Sequence, residues 1–235
     1  ALTLVVAAGS LVYALAGDDA RGRAFHPLFQ FQLAGLAMAF LTGDLFNLFV
    51  AFEVLLIASY GLLLHGGGGQ RHRAGFHYVL LNLVGSLVFL VSLGLLYRVA
   101  GTLNMADLGP ALAGLTGNGR AVAEAAILLL AVVFALKAAV FPLSVWLSAT
   151  YGAALFPVAA LFAIMTKVGI YALLRLDATV LAGLDVGLSG GMHYAGLATV
   201  AVGGVGVLAA GRLADLVSYL LLVSVGTLLL ALGVP

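Results

Sequence analysis

Apolar residues run through this chain in continuous blocks and not in alternation. The blocks are about 17–23 residues long, the length an α-helix needs to cross roughly 30 Å of hydrocarbon. A membrane β-barrel would instead alternate apolar and polar positions in segments of about ten. The pattern predicts membrane helices over 1–16, 27–43, 45–64, 77–98, 120–141, 156–175, 193–211 and 213–233, about eight crossings. Residues 142–150 read as a continuation of the fifth span beyond a break. No basic stretch precedes the first block and no small-residue cleavage site follows it, so it reads as a membrane helix and not a leader. Between the blocks, 65–76 carries Gly66-Gly67-Gly68-Gly69 followed by Arg71, His72 and Arg73, which predicts a flexible basic loop. Residues 99–119 contain an amphipathic stretch at 103–112, a short interfacial helix, and 176–192 form a second Gly-rich loop.

Composition agrees with the pattern. Of 235 residues, 64% are apolar and 8% charged, against about 45–50% and 25% in a soluble domain. Too little polar surface exists to cover a water-soluble globule. The expected class is therefore an all-α integral membrane protein, with the lipid bilayer as its surroundings. A net charge of +1 offers no basic face for nucleic acid. The absence of cysteine excludes thiolate zinc and iron–sulfur centres. Two motif matches are set aside: Gly187-Leu188-Ser189-Gly190-Gly191 lacks the preceding strand that would give it meaning, and the glycines around Gly204 and Gly206 lie within a membrane span, where close helix packing by small residues explains them better. No metal and no cofactor is expected.

Arginines sort by side. Arg21, Arg23, Arg71, Arg73 and Arg212 fall at one end of the predicted bundle, Arg98, Arg120 and Arg175 at the other. The positive-inside rule places the first group in the cytoplasm and residue 1 outside.

The chemistry lies in the few charges inside the spans. The two lysines, Lys137 and Lys167, both interrupt apolar runs, as does Glu53, one of two glutamates. A charge at the bilayer centre costs about 2.5–3.5 kcal/mol on insertion scales. Such groups persist when paired, hydrated or functional. One reading is a structural ion pair between helices; the other is a proton or ion pathway, in which each group's charge sets the other's hold on its proton. Pro142, five residues after Lys137, lacks an N–H and clashes with the carbonyl of Ala138, so the helix must kink or open there. Opened backbone at membrane depth needs protein or an aqueous cavity to satisfy it, and broken helices mark ion sites in transporters. A kink without function is the plainer alternative. Asp44, in Thr42-Gly43-Asp44, suits a helix cap better than an ion site. His77 opens the fourth span and is an accessory candidate for a proton route. His26, His65, His72 and His193 fall at span ends, where a solvated imidazole is expected.

Several stretches resemble a known family. Leu41-Thr42-Gly43-Asp44-Leu45-Phe46-Asn47-Leu48-Phe49-Val50, followed by Phe52-Glu53-Val54-Leu55-Leu56-Ile57, is similar to the D-type membrane subunit of multisubunit Mrp-type cation/proton antiporters. Gly101-Thr102-Leu103-Asn104-Met105, Lys137-Ala138-Ala139-Val140-Phe141-Pro142-Leu143 and Thr166-Lys167-Val168-Gly169-Ile170-Tyr171 continue the likeness in the same order. Wider relatives are the antiporter-like membrane subunits of respiratory complex I and membrane-bound hydrogenases. The resemblance implies a fold of two inverted five-helix repeats. Residues 1–26 would be a leading helix and cytoplasmic loop, 27–176 the first repeat with its broken helix and proton half-channel, and 193–235 the opening helices of the second. It implies proton translocation by Glu53, Lys137 and Lys167 with Pro142 at the helix break. It also implies exchange of protons for Na⁺ or another monovalent cation, partner subunits of an antiporter complex, and a place in the inner (plasma) membrane. Ion transport, not enzyme catalysis, is the expectation; a redox-driven proton-pumping subunit of a complex I-type or hydrogenase assembly is the alternative. Members of the family are longer, so a partial chain is expected.

Overall fold

The computed structural model describes residues 1–181 and 187–233. Part of the loop expected over 176–192, and the last two residues of the expected 193–235 unit, lie outside the described residues. Within them the chain forms ten α-helices: α1 (Leu2–Ala14), α2 (Phe25–Leu41), α3 (Leu45–Leu64), α4 (Gly69–Ala100), α5 (Met105–Ala113), α6 (Gly117–Lys137), α7 (Val145–Ala153), α8 (Phe156–Arg175), α9 (Leu188–Ala209) and α10 (Leu213–Leu232). A π-helical turn, Leu176–Val180, extends α8. Six helices among the described residues (α3, α4, α6, α8 with its extension, α9 and α10) are long and apolar enough to cross a membrane, and α1 and α2 are shorter apolar helices. The all-helical class is as expected, and the helix positions follow the apolar blocks.

Packing pairs α2 with α3, α4 with α6, α1 with α8, and α9 with α10. Small residues set the closest approaches, as membrane packing requires. A Cβ at Gly35 of α2 would stand 2.7 Å from the Leu55 amide nitrogen of α3. On α9, one at Gly196 would stand 2.9 Å from the Leu230 nitrogen of α10.

Two turns are built alike and joined. Thr42 Oγ1 accepts from the Asp44 amide, and Thr102 Oγ1 from the Asn104 amide, both at 3.2 Å. Asp44 then caps α3 by accepting from Asn47 N at 2.9 Å, and Asn104 caps α5 by accepting from Ala106 N at 2.9 Å. Each cap satisfies an amide that the first helical turn leaves free. The two turns pair through Leu45 N to Leu103 O and Met105 N to Gly43 O, both 2.9 Å. The Asp44 carboxylate is thus engaged as a cap.

The other end corrects an expectation. Residues 65–76 are not a flexible loop: α4 begins at Gly69, and only the tight turn at 65–68 has backbone outside the helical region. Arg71 is the physical reason. Its guanidinium donates to the carbonyls of Ala153, His65 and Gly67 at 2.9, 3.2 and 3.1 Å, stitching the turn to the end of α7. His65 is correspondingly not solvated; it is buried, bonded to the Asp18 carbonyl at 3.0 Å and set against Phe25. His193 also departs from the solvated expectation, since its Nδ1 is buried without a partner among the described residues.

Candidate functional site

Helix α3 carries Glu53 in mid-span, α4 presents Tyr78, Asn82 and Ser86 at four-residue intervals on one face, and α6 delivers Lys137 as its last residue. These elements converge. Lys137 is only 4% exposed, and its ammonium donates toward Asn82 Oδ1 (3.3 Å), Ser86 Oγ (3.4 Å) and the Asn82 carbonyl (3.5 Å). The Ser86 hydroxyl donates to Glu53 Oε1. Ser86 therefore stands between the two charged groups, and no direct ion pair joins them among the described residues. The order is ammonium, hydroxyl, carboxylate, each donating to the next.

The walls of this cluster are specific. Phe52, Phe89 and Phe134 pack against one another with centroids 5.2–6.2 Å apart, and the Lys137 nitrogen lies 5.8 Å from the centre of the Phe52 ring. An ammonium near an aromatic face gains from the ring quadrupole. Behind Asn82, its amide nitrogen donates to the Tyr78 carbonyl at 2.9 Å, and the Tyr78 hydroxyl meets Ser59 Oγ at 3.0 Å. Gly85 makes the approach of the helices possible: a Cβ there would stand 2.8 Å from Leu136 Cδ2 and 3.9 Å from Lys137 Nζ.

The break after Lys137 is more complete than a proline kink. Helix α6 ends before Pro142 acts on it, because Ala139 adopts a left-handed conformation (φ 58°). That conformation costs about 1–2 kcal/mol for a residue with a Cβ. It lets Val140 N return to the Ala135 carbonyl (2.9 Å) and Ala139 N to that of Leu136 (3.1 Å), a closure that satisfies the terminal carbonyls. Trp146 Nε1 adds a second bond to Leu136 O at 3.1 Å, and Phe141 N donates to Thr199 Oγ1 of α9 at 3.1 Å. Each such amide, left unpaired in an apolar interior, would cost about 1–3 kcal/mol. Gly169 of α8 lies against this turn, where a Cβ would come within 2.7 Å of Ala138 N.

Lys167 stands apart. It is half-buried in the middle of α8, its nitrogen 3.4 Å from Thr166 Oγ1. It lines a cavity of about 590 Å³ with Leu2, Leu4, Leu33, Phe40 and Ile164, between α1, α2 and α8. No hydrogen bond joins it to the Lys137 cluster among the described residues. His77 is exposed in the third turn of α4 and does not open that helix; its Nδ1 bonds the Arg73 carbonyl at 2.9 Å. It borders a second cavity, about 570 Å³, with Arg73, Trp146, Arg212 and Asp215.

With this geometry in view, comparison with known proteins is decisive. Residues 42–234 match the sequence model of the family described as NADH:quinone oxidoreductase/Mrp antiporter, TM. The chain belongs to this proton-antiporter membrane family. It is 49% identical over 237 residues to the D-type subunit of a probable K(+)/H(+) antiporter from Rhizobium meliloti, covering 99% of this chain and 44% of that protein. It is 40% identical over 206 residues to the D-type subunit of the Na(+)/H(+) antiporter from Bacillus subtilis, covering 87% of this chain and 41% of that one. Its fold matches a chain in the structure of the Mrp complex from Dietzia sp. DQ12-45-1b with a TM-score of 0.88 at 30% identity, covering 98% of this chain and 43% of that one. The chain thus spans less than half the length of these relatives. It is a multi-pass membrane protein of the antiporter family.

Glu53, Lys137, Lys167, Pro142, Asp44 and His77 all fall inside the family match, whereas α1 and α2 precede it. Sequence reasoning found the charges of this antiporter-family chain but not Ser86, Asn82 or Thr199. The spacing of Tyr78, Asn82 and Ser86 was the available signal: three polar residues on one face of an apolar span. Thr199 had none, because its partner is a backbone amide 58 residues away.

Proposed function

We propose that this chain is the proton-translocating part of a membrane subunit of a multisubunit monovalent cation/proton antiporter. The single observation that carries the reading is the hydrogen-bonded sequence Lys137–Ser86–Glu53, its first two members buried and Glu53 half-buried, at the end of a broken helix. A proton leaves the Lys137 ammonium for Ser86 Oγ while the Ser86 hydroxyl proton passes to the Glu53 carboxylate. The lysine ends neutral, the glutamic acid protonated and the serine unchanged. Charge is extinguished on both groups together, which suits a low-dielectric interior. Movement of the break would separate the amine from Ser86 and leave each group to exchange protons with a different side. Lys167 is the onward relay, a step carried by water because no side-chain bond joins the two amines among the described residues; Asp44 and His77 are accessories at opposite ends.

In the same reading the eight crossings are α1, α2, α3, α4, the broken pair α6–α7, α8, α9 and α10. Residues 27–176 form one five-helix repeat, and 193–235 open the inverted second. The end bearing Arg21, Arg71, Arg73 and Arg212 faces the cytoplasm, with residue 1 outside the inner membrane. Other subunits of the complex complete the path. The cation is Na⁺ or another monovalent ion; the relatives' names divide between K⁺ and Na⁺.

The test is cation-dependent proton exchange in vesicles containing the complete complex. Glu53→Ala and Lys137→Ala are each expected to lower exchange by about 100-fold, the scale of a lost proton-transfer group. Retained exchange in both variants removes the residues from the mechanism. A redox-driven proton pump is the second reading, because the family's description includes quinone oxidoreductase subunits. Copurifying redox subunits would favour it, and copurifying small antiporter subunits the first.

A further inference from the structure

The gap between α6 and α7 is closed by more than its own backbone. The amides of Ala138, Ala139 and Val140 all return to carbonyls of α6. Phe141 follows, and after it Pro142 has no amide to offer. The Phe141 amide is therefore the last donor before the proline, and whereas Leu143 N beyond it returns to the Val140 carbonyl at 2.7 Å, it is held from outside the break, by Thr199 Oγ1 of α9 at 3.1 Å. Thr199 is fully buried. Its own hydrogen is committed to the Ala195 carbonyl at 2.6 Å, which turns the oxygen's lone pairs toward Phe141. Beside this contact lies a cavity of about 240 Å³ bordered by Ala135, Val140, Met192, Ala195 and Leu229, whose lining side chains are all apolar. A break released from Thr199 has room to move there and no side chain to recapture its amide.

We propose that Thr199 is a positioning residue for Lys137. By gripping the break at Phe141, α9 holds the last turn of α6 where the ammonium meets Ser86 and Asn82. This inference rests on the reading of Lys137 as a proton carrier, and it makes α9 the element through which the rest of the subunit acts on that carrier. Thr199 touches neither proton nor cation; it acts through the backbone at residues 138–141.

The test compares Thr199→Val, which keeps the shape and loses the acceptor, with Thr199→Ser, which keeps the acceptor, in the complete complex in vesicles. Thr199→Val is expected to lower the maximal exchange rate by about tenfold, the equivalent of one buried hydrogen bond. The half-saturating cation concentration stays unchanged, and Thr199→Ser stays within about twofold of the parent rate. A Thr199→Val complex at the parent rate, a Thr199→Ser complex as slow as the valine variant, or a change in half-saturation that accounts for the loss would each overturn the proposal. Hydrogen–deuterium exchange on the unaltered complex reads the contact even if the valine variant fails to assemble. Slow exchange of the Phe141 amide supports the grip, and exchange as fast as in a solvent-exposed turn overturns it. Retained transport in Glu53→Ala and Lys137→Ala would refute the proton-carrier reading instead, while leaving the Phe141 amide measurement to judge the grip itself.

Discussion

Lys137 and Lys167 lie on neighbouring helices, each flanked by apolar sequence, and their surroundings differ in kind. Lys137 closes a helix that ends inside the protein, and three oxygens of α4 converge on its ammonium. Lys167 sits in the middle of an unbroken helix with one hydroxyl beside it and a cavity in front. Equal residues in equal-looking sequence thus receive unequal environments. The cause is not the lysine but what the neighbours allow: the left-handed Ala139 that stops α6, and the Gly85 and Gly169 gaps that let α4 and α8 close on it. An amine so surrounded is held in one place; an amine facing a cavity can swing.

The sharpest way to break this contrast is to replace each lysine by methionine and measure thermal unfolding of the purified complex. Lys137→Met leaves the buried Asn82 and Ser86 oxygens without their donor, with an expected loss of about 3 kcal/mol. Lys167→Met places an apolar chain in an apolar cavity and is expected to stay within about 0.5 kcal/mol of the parent. Equal losses would dissolve the distinction. A smaller effect is expected from Gly169→Ala, which drives a methyl toward the Ala138 amide and should cost about 2 kcal/mol by overpacking. Proton exchange should slow with it, because the turn that is pushed carries Lys137. Less destabilising than Gly169→Ala is Ser86→Ala. Lys137 keeps its Asn82 acceptors, so stability should fall by only about 1 kcal/mol, yet exchange should fall steeply because the hydroxyl between amine and carboxylate is gone. Unimpaired exchange in Ser86→Ala would place proton transfer elsewhere.

The helices were legible because apolar blocks long enough to cross a bilayer have few other uses. Glu53 and Lys137 were legible for the complementary reason, that a charge in such a block is costly. What joins them was not. Ser86 and Asn82 are unremarkable letters in an apolar span, and their role exists only once α4 is laid against α3 and α6. Pro142 announced a break, but the helix stops at Lys137 because Ala139 turns left-handed, a conformation that alanine seldom signals. The basic stretch after Gly66 looked mobile since glycines and exposed cations usually are. Arg71 instead finds three carbonyls, two of its own turn and one from α7, and the last cannot be seen along the chain.

The joined caps at Asp44 and Asn104 have a mechanical consequence. They tie the foot of α3 to the foot of α5, just past the end of α4, so relative motion of these helices must pivot near that tie. Glu53 lies nine residues up α3, about 13 Å along the axis at 1.5 Å per residue. A tilt of about 5° about such a fulcrum displaces the carboxylate by about 1 Å, enough to open or close a hydroxyl contact. The fold thus sets Glu53 at the moving end of a lever whose pin is a pair of backbone bonds.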